Sequence, residues 1–218
     1  MDELIYSRLL KNSQERKEDA KRFTFQRYLL NEVARAPAET HAGIYGLRGI
    51  GKTILLLQLA NMKENSFYFS ADADYLKNDE LYEVLRFISA RGYRQIFVDE
   101  IHVRKDWTGA LKTVYDEGLA KVFFSGSSSL ELKSGADLSR RAILHYLKPL
   151  SFREFLAIKK GFPRLRKVSP KDLFDPRARG KFAMSHSRYS AFMGDYLEFG
   201  GLAFPSDEPE TFRALGSN

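Results

Sequence analysis

Apolar and polar positions fall into three stretches with different periods along the chain. Up to residue 36, Leu4, Ile5 and Leu9 stand at helical spacing, a mixed-charge stretch runs from Lys11 to Arg22, and a second periodic run passes through Phe25, Tyr28, Leu29 and Val33. This predicts two helices joined by a polar segment, the second ended by Pro37. Short runs rich in Ile, Val, Phe or Tyr then alternate with longer helical patterns. The runs Ala42 to Tyr45, Ser66 to Ser70, Gln95 to Val98, Val122 to Ser125 and Ala142 to Leu147 predict five strands. Lys52 to Met62, Asp79 to Ala90, Trp107 to Glu117 and a short segment near Leu130 predict the helices between them. Parallel neighbours need crossover connections, so this order implies a mainly parallel sheet covered by helices on both faces, with ligands beyond the carboxyl ends of the strands.

After Pro149 the pattern changes. Ser151 with Glu154 three residues on is a capping-box start to a helix reaching Lys159, and a helical pattern from Phe182 to Phe199 ends at Gly200-Gly201. Between them, nine basic residues from Lys159 to Lys181 face only Asp172 and Asp175. That excess equals the net charge of the whole chain, +7, so the rest is neutral. The expected organisation is an N-terminal helical segment (1–36), an α/β core (37–149), a helical lid carrying the basic insert (150–205) and a tail (206–218). The basic stretch is a candidate nucleic-acid contact, since clustered cations attract phosphate backbones.

Composition narrows the chemistry. The 218 residues contain no cysteine, which removes disulfides, thiolate catalysis and sulfur-ligated zinc. No apolar stretch reaches the 18 or so residues of a spanning helix, and Met1-Asp2-Glu3 carries acid where an export signal carries base. A cytoplasmic protein without a membrane segment is expected.

The segment Gly46-Leu47-Arg48-Gly49-Ile50-Gly51-Lys52-Thr53 fits G-x-x-x-x-G-K-[ST] between a strand and a helix. Its glycines let backbone amides turn toward one point, and the helix start, with Ile54 next in line, adds partial positive charge. Lys52 can reach the β and γ phosphates, and Thr53 offers a hydroxyl to Mg²⁺. At the end of the third strand stand Asp99 and Glu100. Asp99 is placed to hold Mg²⁺ largely through its water shell, and Glu100 to polarise the water attacking the γ-phosphate. The fourth strand ends in Ser125-Gly126-Ser127, where a hydroxyl can sense the γ-phosphate or simply cap a turn. Arg140-Arg141 precedes the fifth strand, and an arginine there can reach a nucleotide on a neighbouring subunit or pair on the surface. The four histidines show no metal-ligand spacing and are read as structural or exposed.

Taken together, Gly46 to Thr53, Asp99-Glu100-Ile101 with Trp107, Phe124 to Ser128, Leu147-Lys148-Pro149-Leu150-Ser151-Phe152-Arg153-Glu154-Phe155 and Gly200-Gly201 resemble the prokaryotic, largely archaeal, AAA+-type ATPases over roughly residues 40 to 202. The resemblance implies a P-loop core of five parallel strands, with the Ser125 strand between those of Tyr45 and Asp99, and a small helical lid. It implies ATP or ADP with Mg²⁺ as ligands, Glu100 as catalytic base, Ser125 or Ser127 as sensor, and Arg141 as the arginine preceding the fifth strand, the finger role lying with Arg140 or Arg141. Two departures stand out. Arg140 occupies a position where the family commonly has glycine, and family members usually continue past Gly-Gly into a further domain, whereas this chain stops at Asn218. The expected activity is Mg²⁺-dependent hydrolysis of ATP to ADP and phosphate coupled to a conformational change, with a homo-oligomer as the expected assembly. The alternative is a nucleotide-gated interaction or DNA-binding switch with negligible turnover.

Overall fold

The computed structural model describes residues 1–127, 138–162 and 169–203. The helix expected near Leu130, the basic residues Arg164, Arg166 and Lys167, and the tail from 206 to 218 lie outside the described residues.

Five parallel strands form one sheet: β1 (His41–Tyr45), β2 (Ser66–Ser70), β3 (Gln95–Asp99), β4 (Lys121–Gly126) and β5 (Ala142–Tyr146), in the order β2-β3-β4-β1-β5. The Ser125 strand does lie between those of Asp99 and Tyr45, as expected. Its neighbours are fixed by register, Gly43 opposite Phe124 and Val98 opposite Phe124 on the other side. The α/β class follows from the pairing pattern alone.

Alternation along the strands distributes side chains to two cores. Phe67, Phe69, Ile96, Val98, Val122 and Phe124 share one core with Leu81, Leu85 and Ile88 of α4 (Leu81–Ser89) and with Leu111 and Val114 of α5 (Trp107–Asp116). Ala42, Ile44, Tyr68, Phe97 and Phe123 face the other way, onto Leu55, Leu56 and Leu59 of α3 (Lys52–Asn61). The Phe97 and Phe123 rings stack with centroids 4.6 Å apart.

The N-terminal segment differs from its sequence reading. The first helix, α1 (Glu3–Asp19), runs through most of the mixed-charge stretch, and α2 is a short turn and a half (Leu29–Ala34). Asp2 caps α1 by accepting from the Ile5 amide at 2.8 Å. Charged residues at helical spacing, such as Lys11 and Glu15, support a helix as well as a linker. The polar face is also used, because α1 covers the outer edge of β2. Buried Ser13 accepts the Tyr68 amide through Oγ at 2.9 Å, and Lys17 donates to Ser66 Oγ at 2.7 Å. The edge is thereby closed to other strands.

Beyond β5 come α6 (Phe152–Lys159), α7 (Pro170–Phe174), α8 (Pro176–His186) and α9 (Met193–Phe199). The predicted capping box is present at α6: Ser151 Oγ accepts the Glu154 amide at 3.3 Å, and Glu154 Oε2 accepts the Ser151 amide at 3.0 Å. Phe152, Phe155 and Tyr196 pack α6 against α9, and Tyr196 donates its hydroxyl to Leu150 O at 2.8 Å. Gly201 O accepts the Leu150 amide at 3.0 Å, which returns the Gly-Gly segment to the start of the appendage. Among the described residues, no helix is long and apolar enough to cross a membrane.

Candidate active site

The loop between β1 and α3 turns sharply enough to need glycine at both ends. A Cβ on Gly46 would lie 2.6 Å from Leu147 O, and Gly51 has φ +92°, a left-handed conformation that side chains disfavour. Between them Ile50 is fully buried in the α3 core and pins the loop, while Leu47 and Arg48 are exposed. Gly51 provides no side-chain cap for α3, whose N-terminal hydrogen bonding begins with Leu55 N donating to Gly51 O at 3.1 Å. The amides of Lys52, Thr53 and Ile54 therefore have no acceptor within the helix, which suits them to an anion. Lys52 is buried and donates to Gly46 O at 3.0 Å and Leu47 O at 2.8 Å, so the loop curls around its own lysine. Burial pushes the Lys52 ammonium down, and the nearby carboxylates of Glu100 and Asp99 offset part of that while Arg48 adds to it.

Asp99, at the end of β3, is buried and held on both oxygens. Oδ1 accepts from Ser125 Oγ and from the Glu100 amide (3.2 Å), and Oδ2 accepts the Tyr68 hydroxyl at 3.1 Å. Burial, reinforced by the Asp99 charge, pushes the Tyr68 phenol up, so Tyr68 remains a donor. With three lone-pair positions occupied, the carboxylate has little capacity for direct ligation. A hard-oxygen set of Thr53 hydroxyl and Asp99 fits a magnesium ion that keeps much of its water.

Glu100 is one of two non-glycine residues among those described with positive φ, at φ +50° and ψ +39°. Its amide is tied to Asp99 and to Ser125 Oγ (3.3 Å), while its carboxylate is about one-third exposed, 3.3 Å from His102 Nδ1. The tight turn thus buries one carboxylate and presents the next. The Ser127 amide also donates toward His102 Nδ1 at 3.4 Å, which joins the end of β4 to the same turn.

The structure brings Lys52, Thr53, Asp99, Glu100 and Ser125 to the carboxyl ends of β1, β3 and β4. Ser125 is wholly buried with its hydroxyl on Asp99, so it touches the site through that carboxylate. Arg141 lies elsewhere. Its carbonyl accepts the His41 amide at the start of β1, the opposite end of the sheet from Gly46, and its guanidinium forks onto Asp116 at 2.8 and 3.1 Å. Arg140 is exposed beside it.

Four participants were not legible as such in the sequence. Tyr68 looks like any core aromatic until β2 is known to flank β3. His102, grouped with the structural histidines, stands against Glu100. His41 fits that grouping: its Nε2 faces Leu111 O, Nδ1 accepts the Val122 amide, and burial lowers its pKa to about 4. Arg27, in the non-helical segment before α2, donates to Glu154 Oε1 (2.7 Å), Ile50 O (2.8 Å) and Lys148 O (2.8 Å), linking the phosphate loop to α6. Gln58 of α3 donates from Nε2 to Phe23 O at 2.6 Å and Phe25 O at 3.0 Å.

A family model described as an AAA domain matches residues 39–156. An uncharacterized protein of Methanocaldococcus jannaschii, MJ1637, is 29% identical over 189 residues, covering 77% of this chain and 39% of its own length. The chain thus spans well under half of that relative. Among solved structures, AMPPCP-bound DnaA from Aquifex aeolicus aligns with TM-score 0.41 at 19% identity, over 86% of this chain and 72% of that one. A point variant of Thermotoga maritima RuvB aligns with TM-score 0.44 at 20% identity, over 70% of this chain and 50% of its own.

Proposed function

The chain belongs to the AAA domain family, and from that premise we propose that it is a Mg²⁺-dependent ATPase, hydrolysing ATP to ADP and phosphate and passing a change of shape to a partner. The observation that carries this reading is the convergence of Lys52, Asp99 and Glu100 on one glycine-rich loop, close enough for both carboxylates to act on the Lys52 charge. The loop amides and Lys52 bind the phosphates, and the Thr53 hydroxyl and Asp99 are the groups that would hold the metal. Bound there, Mg²⁺ neutralises phosphate charge. Glu100 orients and polarises the attacking water. Ser125 and Tyr68 keep Asp99 aimed by donating to it.

Arg141 lies across the sheet from this loop, so a role in phosphate chemistry requires a second copy of the chain, with Arg141 released from Asp116 or Arg140 acting in its place. Exposed Lys171, Arg177, Arg179 and Lys181 on α7 and α8 support the reading of the basic stretch as a nucleic-acid contact.

Lys52→Ala tests the site. It removes one charge-assisted contact to phosphate, a loss of about 1.5–3 kcal/mol or roughly 10- to 150-fold in affinity. Calorimetric titration with ATP·Mg²⁺ should show that loss, with circular dichroism unchanged. Affinity within about twofold of the parent would overturn the phosphate-loop reading.

A further inference from the structure

One buried guanidinium touches three separate parts of the chain. Arg27, in the non-helical segment before α2, donates through Nη1 to Ile50 O of the phosphate loop, through Nη2 to Lys148 O in the connection from β5 to α6, and through Nε to Glu154 Oε1 in the first turn of α6. Glu154 is set for this by its own helix start. Its Oε2 accepts both the Ser151 amide and the Ser151 hydroxyl at 3.0 Å, which leaves Oε1 to Arg27 and to the Tyr28 amide at 3.3 Å. The run Leu147 to Phe155 thus supplies two of the three acceptors.

The third acceptor bears on phosphate. In a trans peptide the carbonyl and the following amide point in opposite directions, and the described residues contain no cis peptide bond. A donor that grips Ile50 O therefore fixes the direction of the Gly51 N–H, the amide immediately before the helix-start amides of Lys52, Thr53 and Ile54. Gly51, at φ +92°, has no side chain to hold this peptide, so the restraint comes from the buried Ile50 side chain and from Arg27. A guanidinium is planar with fixed N–H directions, so its three bonds move together. Turning the peptide between residues 50 and 51 displaces Arg27, and with it the grip on Lys148 O and Glu154.

We infer that Arg27 is a positioning residue: it aims the Gly51 amide of the phosphate loop and, through Lys148 and Glu154, ties that setting to α6, so that phosphate on the loop and the placement of α6 are coupled. This role rests on the ATPase reading and deepens it, naming the route by which occupancy of the loop is passed on. Such coupling is reciprocal, each end altering the other's equilibrium by the same factor.

Inorganic tripolyphosphate with Mg²⁺ is the probe, because it has no base or ribose to touch anything beyond the loop. Calorimetric titration of the intact chain gives its affinity, and hydrogen exchange at saturating probe reports on the α6 amides. In the parent, tripolyphosphate should slow exchange along α6. Arg27→Lys keeps a charge opposite Glu154 but puts one nitrogen where three each meet an acceptor. It should bind tripolyphosphate about tenfold or more weakly, the weight of one hydrogen bond to a charged group, and at saturation its α6 exchange should not change. Arg27→Met with Glu154→Leu removes the link and replaces the ion pair by apolar packing. A role in stability alone predicts that this double variant binds and responds as the parent does, whereas positioning predicts the losses of Arg27→Lys; either variant suffices if the other does not fold. Parent-like affinity in a folded variant overturns the aiming of Gly51. An α6 that ignores tripolyphosphate in the parent, or that responds in a folded variant as in the parent, overturns the coupling, while the measured affinity still reports a working loop. A parent that binds neither tripolyphosphate nor ATP overturns the phosphate-loop reading, and the role of Arg27 with it.

Discussion

Glu100→Gln is expected to bind ATP·Mg²⁺ as the parent does and to lose about 10²- to 10⁴-fold in turnover, the usual contribution of a positioned general base. Glutamine matches glutamate in size and meets the same left-handed turn, and the bonds holding that turn come from the backbone amide of residue 100 to Asp99 and Ser125. Asp99 keeps its donors, and the contact with His102 remains sterically possible. What disappears is the partly exposed carboxylate that acts on water. Phosphate release at saturating ATP measures the loss, and calorimetry measures the retained binding. Turnover equal to the parent's would remove Glu100 from the mechanism. A parent that binds ATP and never releases phosphate would favour the nucleotide-gated switch instead.

Glu154→Leu is expected to destabilise the protein by about 3–5 kcal/mol, because it leaves Arg27 buried without its counter-charge. The two side chains are 8% and 6% exposed and lie 2.7 Å apart, so solvent does little to relieve the stranded guanidinium. Burial pushes the Glu154 carboxyl up, but donors from Arg27, Ser151 and Tyr28 outweigh it and hold the pKa below the ordinary carboxylate value. A depressed folded-state value means that this contribution is complete above the ordinary carboxylate range and is lost as the pH falls through the lower folded value. The gap between parent and Glu154→Leu should therefore narrow in acid. Replacing both partners, Arg27→Met with Glu154→Leu, should recover much of the loss. Urea unfolding of the three proteins checks this, and a single-variant cost below about 1 kcal/mol would show that the pair behaves as a surface pair.

The legible part of this molecule is local in sequence. The phosphate loop, the acid pair and the capping box are each read within eight or nine consecutive residues, and alternating runs of apolar residues mark every strand to within about a residue or two. Sheet order needed the family resemblance as well. What stayed hidden depends on long-range neighbours: Tyr68 meets Asp99 only because β2 and β3 adjoin, and Arg27 meets Glu154 across 127 positions. The first helix was cut short for a different reason. Its polar residues read as a segment joining two helices, whereas Ser13 and Lys17 face a strand edge, where hydrogen-bonding groups are what a covering helix must offer.

Among the described residues the central strand β1 pairs with no strand that precedes residue 121: its partners there are β4 and β5. On a ribosome, β2 and β3 can zip together while β1, already made, waits unpaired with its glycine loop unshaped. The nucleotide site is thus among the last features to mature, its closure entropy met only when the end of the core has left the exit tunnel. A ligand that binds only the finished loop would then act as a proofreader of synthesis, drawing completed chains into the native state and passing over incomplete ones.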